Sequence, residues 1–325
     1  MRAVQVLAPG HAEFVEVPTP ELKPGHALVR PLRVSLCGSD IYMLHHAPKH
    51  LYPFPPGTTG HEMVGVVEAV DAPGSGIEPG MVALTLAPRH QAMAEYYLAH
   101  IDHVIPLPPG KSIEELLQAQ QLGTVLYACK HLTTNVIGKD VAVIGQGSAG
   151  LWFNWMMRRL GARRVIGIDL QPHRLMLPKS YGATHTVNNS QIDAAEAVAE
   201  ITNGHMVDLV VEAAGERETL IMTSSLIKEQ GEILLFGIPH YQEITMNWFD
   251  MFRKYPRIKA ISGATNDPGQ GVTRHAVELI ADGEIDVKPI LTHSFPFERV
   301  MEAYELQRTR DEGAVKIVVE MSEMR

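Results

Sequence analysis

Apolar residues recur along the chain in two different rhythms. Through the first part they come in short runs, AVQVL, FVEV, HALVRPLRVSL, MVGVVEAV and MVALTL, broken by proline and glycine. That pattern predicts a strand-rich domain with irregular loops. The proline-dense stretch HAPKHLYPFPPG, residues 46–57, interrupts the series. Proline fixes φ and cannot donate to a ladder, so the chain must change direction there several times. PLPPG at 106–110 marks a boundary, and Ser112 followed by Glu115 has the spacing of a capping box for the next helix.

From residue 112 onward the rhythm alternates between helical periodicity and continuous apolar runs. It predicts helices over 113–131, 149–160, 173–181, 192–202 and 217–227, and strands starting at 141, 164, 207, 231 and 258. Uninterrupted β-branched and leucine-rich runs between amphipathic helices imply a parallel sheet covered on both faces, a doubly wound α/β domain. Helices near 272–282 and 298–308 and a strand in AVKIVVEM from 314 close the chain. The domain reading is 1–121, 122–263, and a C-terminal segment 264–325.

The strongest local signal is VAVIGQGSAGLW, where Gly145, Gly147 and Gly150 make G-x-G-x-x-G between an apolar run and a helix. The first glycine allows the sharp turn, the second lets backbone approach a pyrophosphate, and the third lets helix pack on strand. Ser148 and Ala149 then open a helix whose free N–H groups face phosphate oxygens. The next strand ends at Asp169, 24 residues after Gly145. A carboxylate there accepts from both ribose hydroxyls and favours NAD over NADP. Arg174, five residues on, complicates that preference because it can reach the ribose or a phosphate. The plainer alternative is a glycine turn that only tightens packing.

A second signal is TTGHEMVGVV, with His61 and Glu62 behind Gly60. Neighbours on a strand point to opposite faces, so both can serve one metal only where the backbone bends, which Gly60 permits. Cys37, in SLCGSD, adds a thiolate. One thiolate, one imidazole and one carboxylate with an open fourth position is a catalytic type of zinc site. Of the two cysteines, Cys37 and Cys129, the latter sits at helical spacing among apolar residues and reads as core.

Composition narrows the partners. The 325-residue chain is 45 % hydrophobic and carries a formal charge of −9, so large cores are expected and a basic field for nucleic acid or an anionic membrane is not. Two cysteines without a CxxC pair give no disulfide framework. With no apolar run long enough for a membrane span, the expectation is a soluble cytoplasmic protein.

Taken in order, CGSD at 37, PGTTGHEMVGVV at 56, PGMVAL at 79, GQGSAG at 145, VVEAAG at 210, LFGIP at 235 and GAVKIVVE at the end resemble the zinc-dependent medium-chain dehydrogenase/reductase superfamily, which includes alcohol, sorbitol and threonine dehydrogenases. The resemblance covers nearly the whole chain. It implies a GroES-like catalytic domain from the N-terminal part and the C-terminal tail, an inserted Rossmann domain, and an active site in the cleft between them. It places Cys37 and His61 as zinc ligands, Glu62 as the adjacent acid and Ser39 as the start of a proton relay. Asp40 would accept from the His61 ring, Gly237 and Ile238 would contact the cofactor, and Lys316 would face its phosphates. It also implies a small alcohol or carbonyl substrate and a homodimer or homotetramer.

Three departures stand out. Between MVALTLAPRH and AEYYLAHIDHVIPLP there is no room, and no cysteine, for the lobe that carries a structural zinc in many relatives, so one catalytic zinc is expected. The third-ligand position, counted back from Gly145, falls on Gln120, a weak neutral donor. Where relatives have a relay histidine after CGSD this chain has Tyr42, with His45 or His46 as substitutes; Tyr52, Phe54, His45 and His90 are candidate pocket residues. The expected activity is NAD-dependent, zinc-assisted interconversion of a secondary alcohol, polyol or sugar with its carbonyl. The rivals are a zinc-independent reductase of the same superfamily and a non-catalytic NAD-binding regulator.

Overall fold

A computed structural model describes residues 1–324; Arg325, the end of the expected 264–325 segment, lies outside the described residues. The chain forms two compact units, one from residues 1–123 and 264 onward, the other from 124–263.

In chain order the first unit contributes β1 (Arg2–Ala8), β2 (His11–Glu16), β3 (His26–Ser35), the one-turn helix α1 (Gly38–Ile41), β4 (Glu62–Asp71), β5 (Val82–Leu86), β6 (Tyr97–His100), β7 (Val104–Pro106) and α2 (Ile113–Leu117). The division between units falls within α3 (Ala119–Lys130). The second unit runs β8 (Asp140–Ile144), α4 (Ser148–Arg159), β9 (Arg164–Asp169), β10 (His185–Asn188), α5 (Ala194–Thr202), β11 (Val207–Glu212), α6 (Arg217–Leu226), β12 (Ile227–Leu235), α7 (Trp248–Lys254) and β13 (Arg257–Ala260). The chain then returns with α8 (Gly271–Ala281), β14 (Leu291–Pro296), α9 (Val300–Thr309) and β15 (Lys316–Glu320).

The first unit holds a β1–β2 pair and a seven-stranded sheet ordered β14-β15-β3-β4-β5-β7, with β6 also on β3. Alternation along these strands sends Val29, Val34, Met63, Val67, Ile317 and Val319 into one core. Pro31 sits inside β3 at a register shift, where a residue without an N–H does least harm to the ladder. Opposite it Gly65 is obligatory, because a Cβ there would lie 2.6 Å from the Arg30 carbonyl oxygen. The registers that matter for chemistry are Ser35 opposite Glu62 and Val318 opposite Ser35. They set the start of β4, the end of β3 and the start of β15 side by side.

The second unit is a six-stranded parallel sheet ordered β10-β9-β8-β11-β12-β13. In order of appearance this is 3-2-1-4-5-6, the doubly wound order whose switch point lies between β8 and β11. Its core is Ala142, Ile144, Ile166, Ile168, Val210, Leu226 and Ile233 with the apolar faces of α5 and α6.

Two expected elements differ. The helix over 173–181 is two 3-10 turns, Pro172–Leu175 and Pro178–Tyr181, since Pro178 cannot donate to a helix ladder and Gly182 turns left-handed at φ 93°. The helix over 113–131 divides into α2 and α3 at Gln118. Strand β10 and helix α7 were not anticipated. No helix among the described residues is long and apolar enough to cross a membrane.

Candidate metal centre and dinucleotide cradle

Cys37 leaves β3 in extended conformation and serves as N-cap of α1. Asp40, fully buried, ties two turns together: its Oδ2 accepts from Cys37 N–H at 2.8 Å and its Oδ1 from Gly60 N–H at 3.0 Å. Gly60 is left-handed at φ 86°, with Val34 only 3.0 Å from where a Cβ would lie. This bend lets consecutive residues serve one centre, and His61 Nε2 stands 3.8 Å from Glu62 Oε1. Ligand atoms of Cys37, His61 and Glu62 all lie within 4.8 Å of one another.

The surroundings of Glu62 are built by the sheet register. Its side chain is completely buried; Oε2 accepts from Ser35 Oγ and pairs with Lys316 Nζ at 2.5 Å. Oε1 has no hydrogen-bond partner. Burial, then the charge of Glu62, push the Cys37 thiol up to about 11, against the opposing pull of Lys316. Burial alone would raise Asp40, yet its carboxyl is held below the usual range, first by the facing His90 imidazole, then by His61 and the Gly60 N–H. Ser39 Oγ and His61 Nδ1 are buried without partners. A soft thiolate, an imidazole and an unpartnered carboxylate oxygen fit zinc.

Three sequence assignments need correction. Lys316 does not offer its ammonium to a phosphate: the side chain is 1 % exposed and closes on Glu62. At the third-ligand position the amide seen against the thiol belongs to Gln121, whose Nε2 is 3.7 Å from Cys37 Sγ; Gln120, its neighbour on α3, is buried. Nor does Asp40 accept from the His61 ring, since its hydrogen bonds go to backbone amides. Tyr42 opens a widened turn, Tyr42–His46; burial, with Tyr42 as a lesser cause, raises the phenol of Tyr52, whose hydroxyl donates to Met43 O at 2.8 Å. His90, read only as a pocket residue, has its ring centroid 4.3 Å from that of His61.

In the second unit Gly145 turns left-handed at φ 89°, and a Cβ on Gly150 would lie 1.8 Å from the Gly145 carbonyl oxygen. The third glycine is thus required by backbone contact. Gly147 caps α4, and Ser148 and Ala149 supply its first turn. Asp169, at the end of β9, accepts from Gln146 N–H at 2.7 Å and Gln171 N–H at 2.9 Å. The Arg174 guanidinium lies against the loop, 3.3 Å from a Cβ position on Gly147. Gly237 and Ile238 pack on the loop after β11: a Cβ on Gly215 would sit 2.2 Å from Ile238 O, and one on Gly237 2.3 Å from Gly215 N. Glu212 anchors that loop, its Oε1 accepting from Ala214 N–H, Gly215 N–H and Thr219 Oγ1 at 2.8–2.9 Å. Glu212 went unassigned as a site residue, although its E-x-x-G spacing at a strand end was visible. The loops after β8, β11 and β12 together form a backbone-lined cradle at the switch point, as a dinucleotide requires.

Residues 23–109 match the alcohol dehydrogenase GroES-like domain family, and residues 150–282 the zinc-binding dehydrogenase family. An alcohol dehydrogenase of Cupriavidus necator is 25 % identical over 365 aligned positions, covering 98 % of both chains. Sorbitol dehydrogenase 1 of Saccharomyces cerevisiae is 27 % identical over 351, covering 95 % of each. The solved structure of an alcohol dehydrogenase from Thermus sp. ATN1 superposes with a TM-score of 0.85 at 26 % identity, covering 99 % of this chain and all of that one. Fold and donor chemistry define a dinucleotide-dependent oxidoreductase with a metal centre. Within that class the chain belongs to the zinc-dependent medium-chain dehydrogenase/reductase superfamily.

Proposed function

We propose that this oxidoreductase interconverts an alcohol, of the secondary, polyol or sugar type, with its carbonyl, using NAD and one zinc ion. The observation that carries the reading is the convergence of Cys37, His61 and Glu62 within 4.8 Å beside the buried, unpartnered hydroxyl of Ser39.

Bound zinc would act as a Lewis acid on the substrate oxygen, and bound nicotinamide would accept hydride. Cys37 and His61 would hold the ion, with Glu62 Oε1 presented toward it because Ser35 and Lys316 hold the other oxygen. Gln121 donates an amide hydrogen toward the thiol sulfur and so favours its negative form. Ser39 accepts the alcohol proton, and passage outward falls to Tyr42 with His45 or His46. Asp40 keeps the Cys37 and His61 turns in register.

Several finer readings belong with this. One zinc per chain follows from two cysteines in all, with none in the segment between β5 and β6. NAD is preferred because Asp169 puts negative charge where a 2′-phosphate would lie, with Arg174 as the opposing influence. A homodimer or homotetramer, and a reducing cytoplasmic setting, complete the proposal. Sorbitol dehydrogenases among the relatives favour a polyol. The test is NADH formation from a panel of polyols, sugars and simple alcohols before and after chelation. Turnover lost on chelation and restored by zinc is expected; turnover indifferent to metal removal, or none on any alcohol, overturns the proposal.

A further inference from the structure

We infer that His90 is a positioning residue of the metal centre, which fixes the ring of His61 through ring contact and is itself oriented by the carboxylate of Asp40. The inference rests on the zinc reading above. The rings of His61 and His90 lie 4.3 Å apart at 50°, so His61 cannot rotate without meeting its neighbour. His90 Nδ1 is 4.0 Å from Asp40 Oδ1, and donor atoms of Asp40, His61 and His90 all lie within 4.8 Å of one another. Nδ1 of both imidazoles is buried without a hydrogen-bond partner. Asp40 already accepts one backbone N–H on each oxygen. A carboxylate has about four lone-pair sites, so capacity remains toward His90.

His90 is itself held firmly. Its backbone is left-handed at φ 53°, and its N–H donates to Ala87 O at 2.8 Å. The residues after it are stitched to the turn that carries His61: Ala92 N–H donates to Gly60 O at 3.1 Å, and Met93 N–H to Gly57 O at 2.9 Å and Thr59 O at 3.1 Å. Contact is so close that a Cβ on Gly57 would lie 2.7 Å from Gln91 O. The short loop after β5 thus places a second imidazole against the ligand His61. A ligand histidine binds best when its ring is held from behind, and such supporting residues are typically worth about 10–100-fold in metal affinity.

Chelator competition for zinc, cobalt(II) absorption spectra and zinc-edge X-ray absorption on the full chain test this. His90→Ala should weaken zinc binding about 10–100-fold, shift the cobalt ligand-field bands, and keep both the sulfur-to-cobalt charge-transfer band and the imidazole count. His90→Asn, which tolerates positive φ and keeps a donor for Asp40, should recover most of the affinity; Arg89→Ala should change nothing. Affinity and spectrum of His90→Ala indistinguishable from wild type would overturn the inference while leaving the zinc reading standing. An imidazole lost at the zinc edge would also overturn it, by making His90 a ligand. A wild-type chain with no charge-transfer band would overturn the zinc reading and this inference together.

Discussion

At the scale of single residues, the raised thiol of Cys37 governs metal uptake. At about 11 it is protonated in the metal-free protein near neutrality, so binding zinc must release that proton. Zinc affinity should therefore climb roughly tenfold per pH unit on this account alone between pH 6 and 8, measured by chelator competition with buffer-independent controls. A flat profile, or one unchanged in Cys37→Ser, would remove Cys37 from the ligand set. Lys316 carries a different prediction. Lys316→Met leaves the fully buried Glu62 without its cation and should cost about 3–5 kcal/mol in urea unfolding, with most of it returned in Lys316→Met/Glu62→Gln. A loss below about 1 kcal/mol would mean that the pair behaves like a surface salt bridge. These residues also show what a sequence can carry. Cys37, His61 and Glu62 announce themselves by donor chemistry and a bend-permitting glycine. Gln121 does not, because adjacent residues on a helix point about 100° apart and counting alone cannot choose between Gln120 and Gln121. Lys316 was misplaced because its partner is set by the β15–β3–β4 register, which only the folded sheet reveals.

Among the elements, the loop from β8 into α4 makes the sharpest distinction. A methyl at Gly150 would sit 1.8 Å from the Gly145 carbonyl oxygen, whereas one at Gly147 would meet only the tip of Arg174 at 3.3 Å. Backbone cannot yield and a guanidinium can. Gly150→Ala should therefore lower the melting temperature and abolish NADH fluorescence enhancement. Gly147→Ala should melt like wild type and bind NADH more weakly; equal effects in both would refute the contact argument. The legibility of elements followed the same physics. Strand β9 was read at its full extent, Arg164–Asp169, because a continuous apolar run closed by an acid leaves little choice. Pro178 and the left-handed Gly182 defeated the helix expected over 173–181. Helix α7 escaped notice because its large residues, Trp248, Phe249 and Phe252, are 60–70 % exposed and Met251 alone is buried, so its apolar pattern does not mark the face it buries. Strand β10 escaped because four residues at a sheet edge give too short a pattern.

For the whole molecule, the important fact is that the described residues hold one core behind the metal donors and another behind the cradle. A ligand that binds only the native form stabilises by mass action, about 2.7 kcal/mol at a hundred times its dissociation constant. Where cores are separate, that stabilisation belongs to the unit holding the ligand, and a single two-state transition is not guaranteed. Calorimetry should then resolve two transitions, one raised by zinc and the other by NADH. Hydrogen exchange should assign them: zinc slows the amides of Cys37 and Gly60, which Asp40 holds, and NADH slows those of Ala214 and Gly215, which Glu212 holds. Cys37→Ser should lose the first response and retain the second, and Gly150→Ala the reverse. One cooperative transition moved equally by either ligand would show instead that the units unfold as one, and the independence argued from their cores would fall.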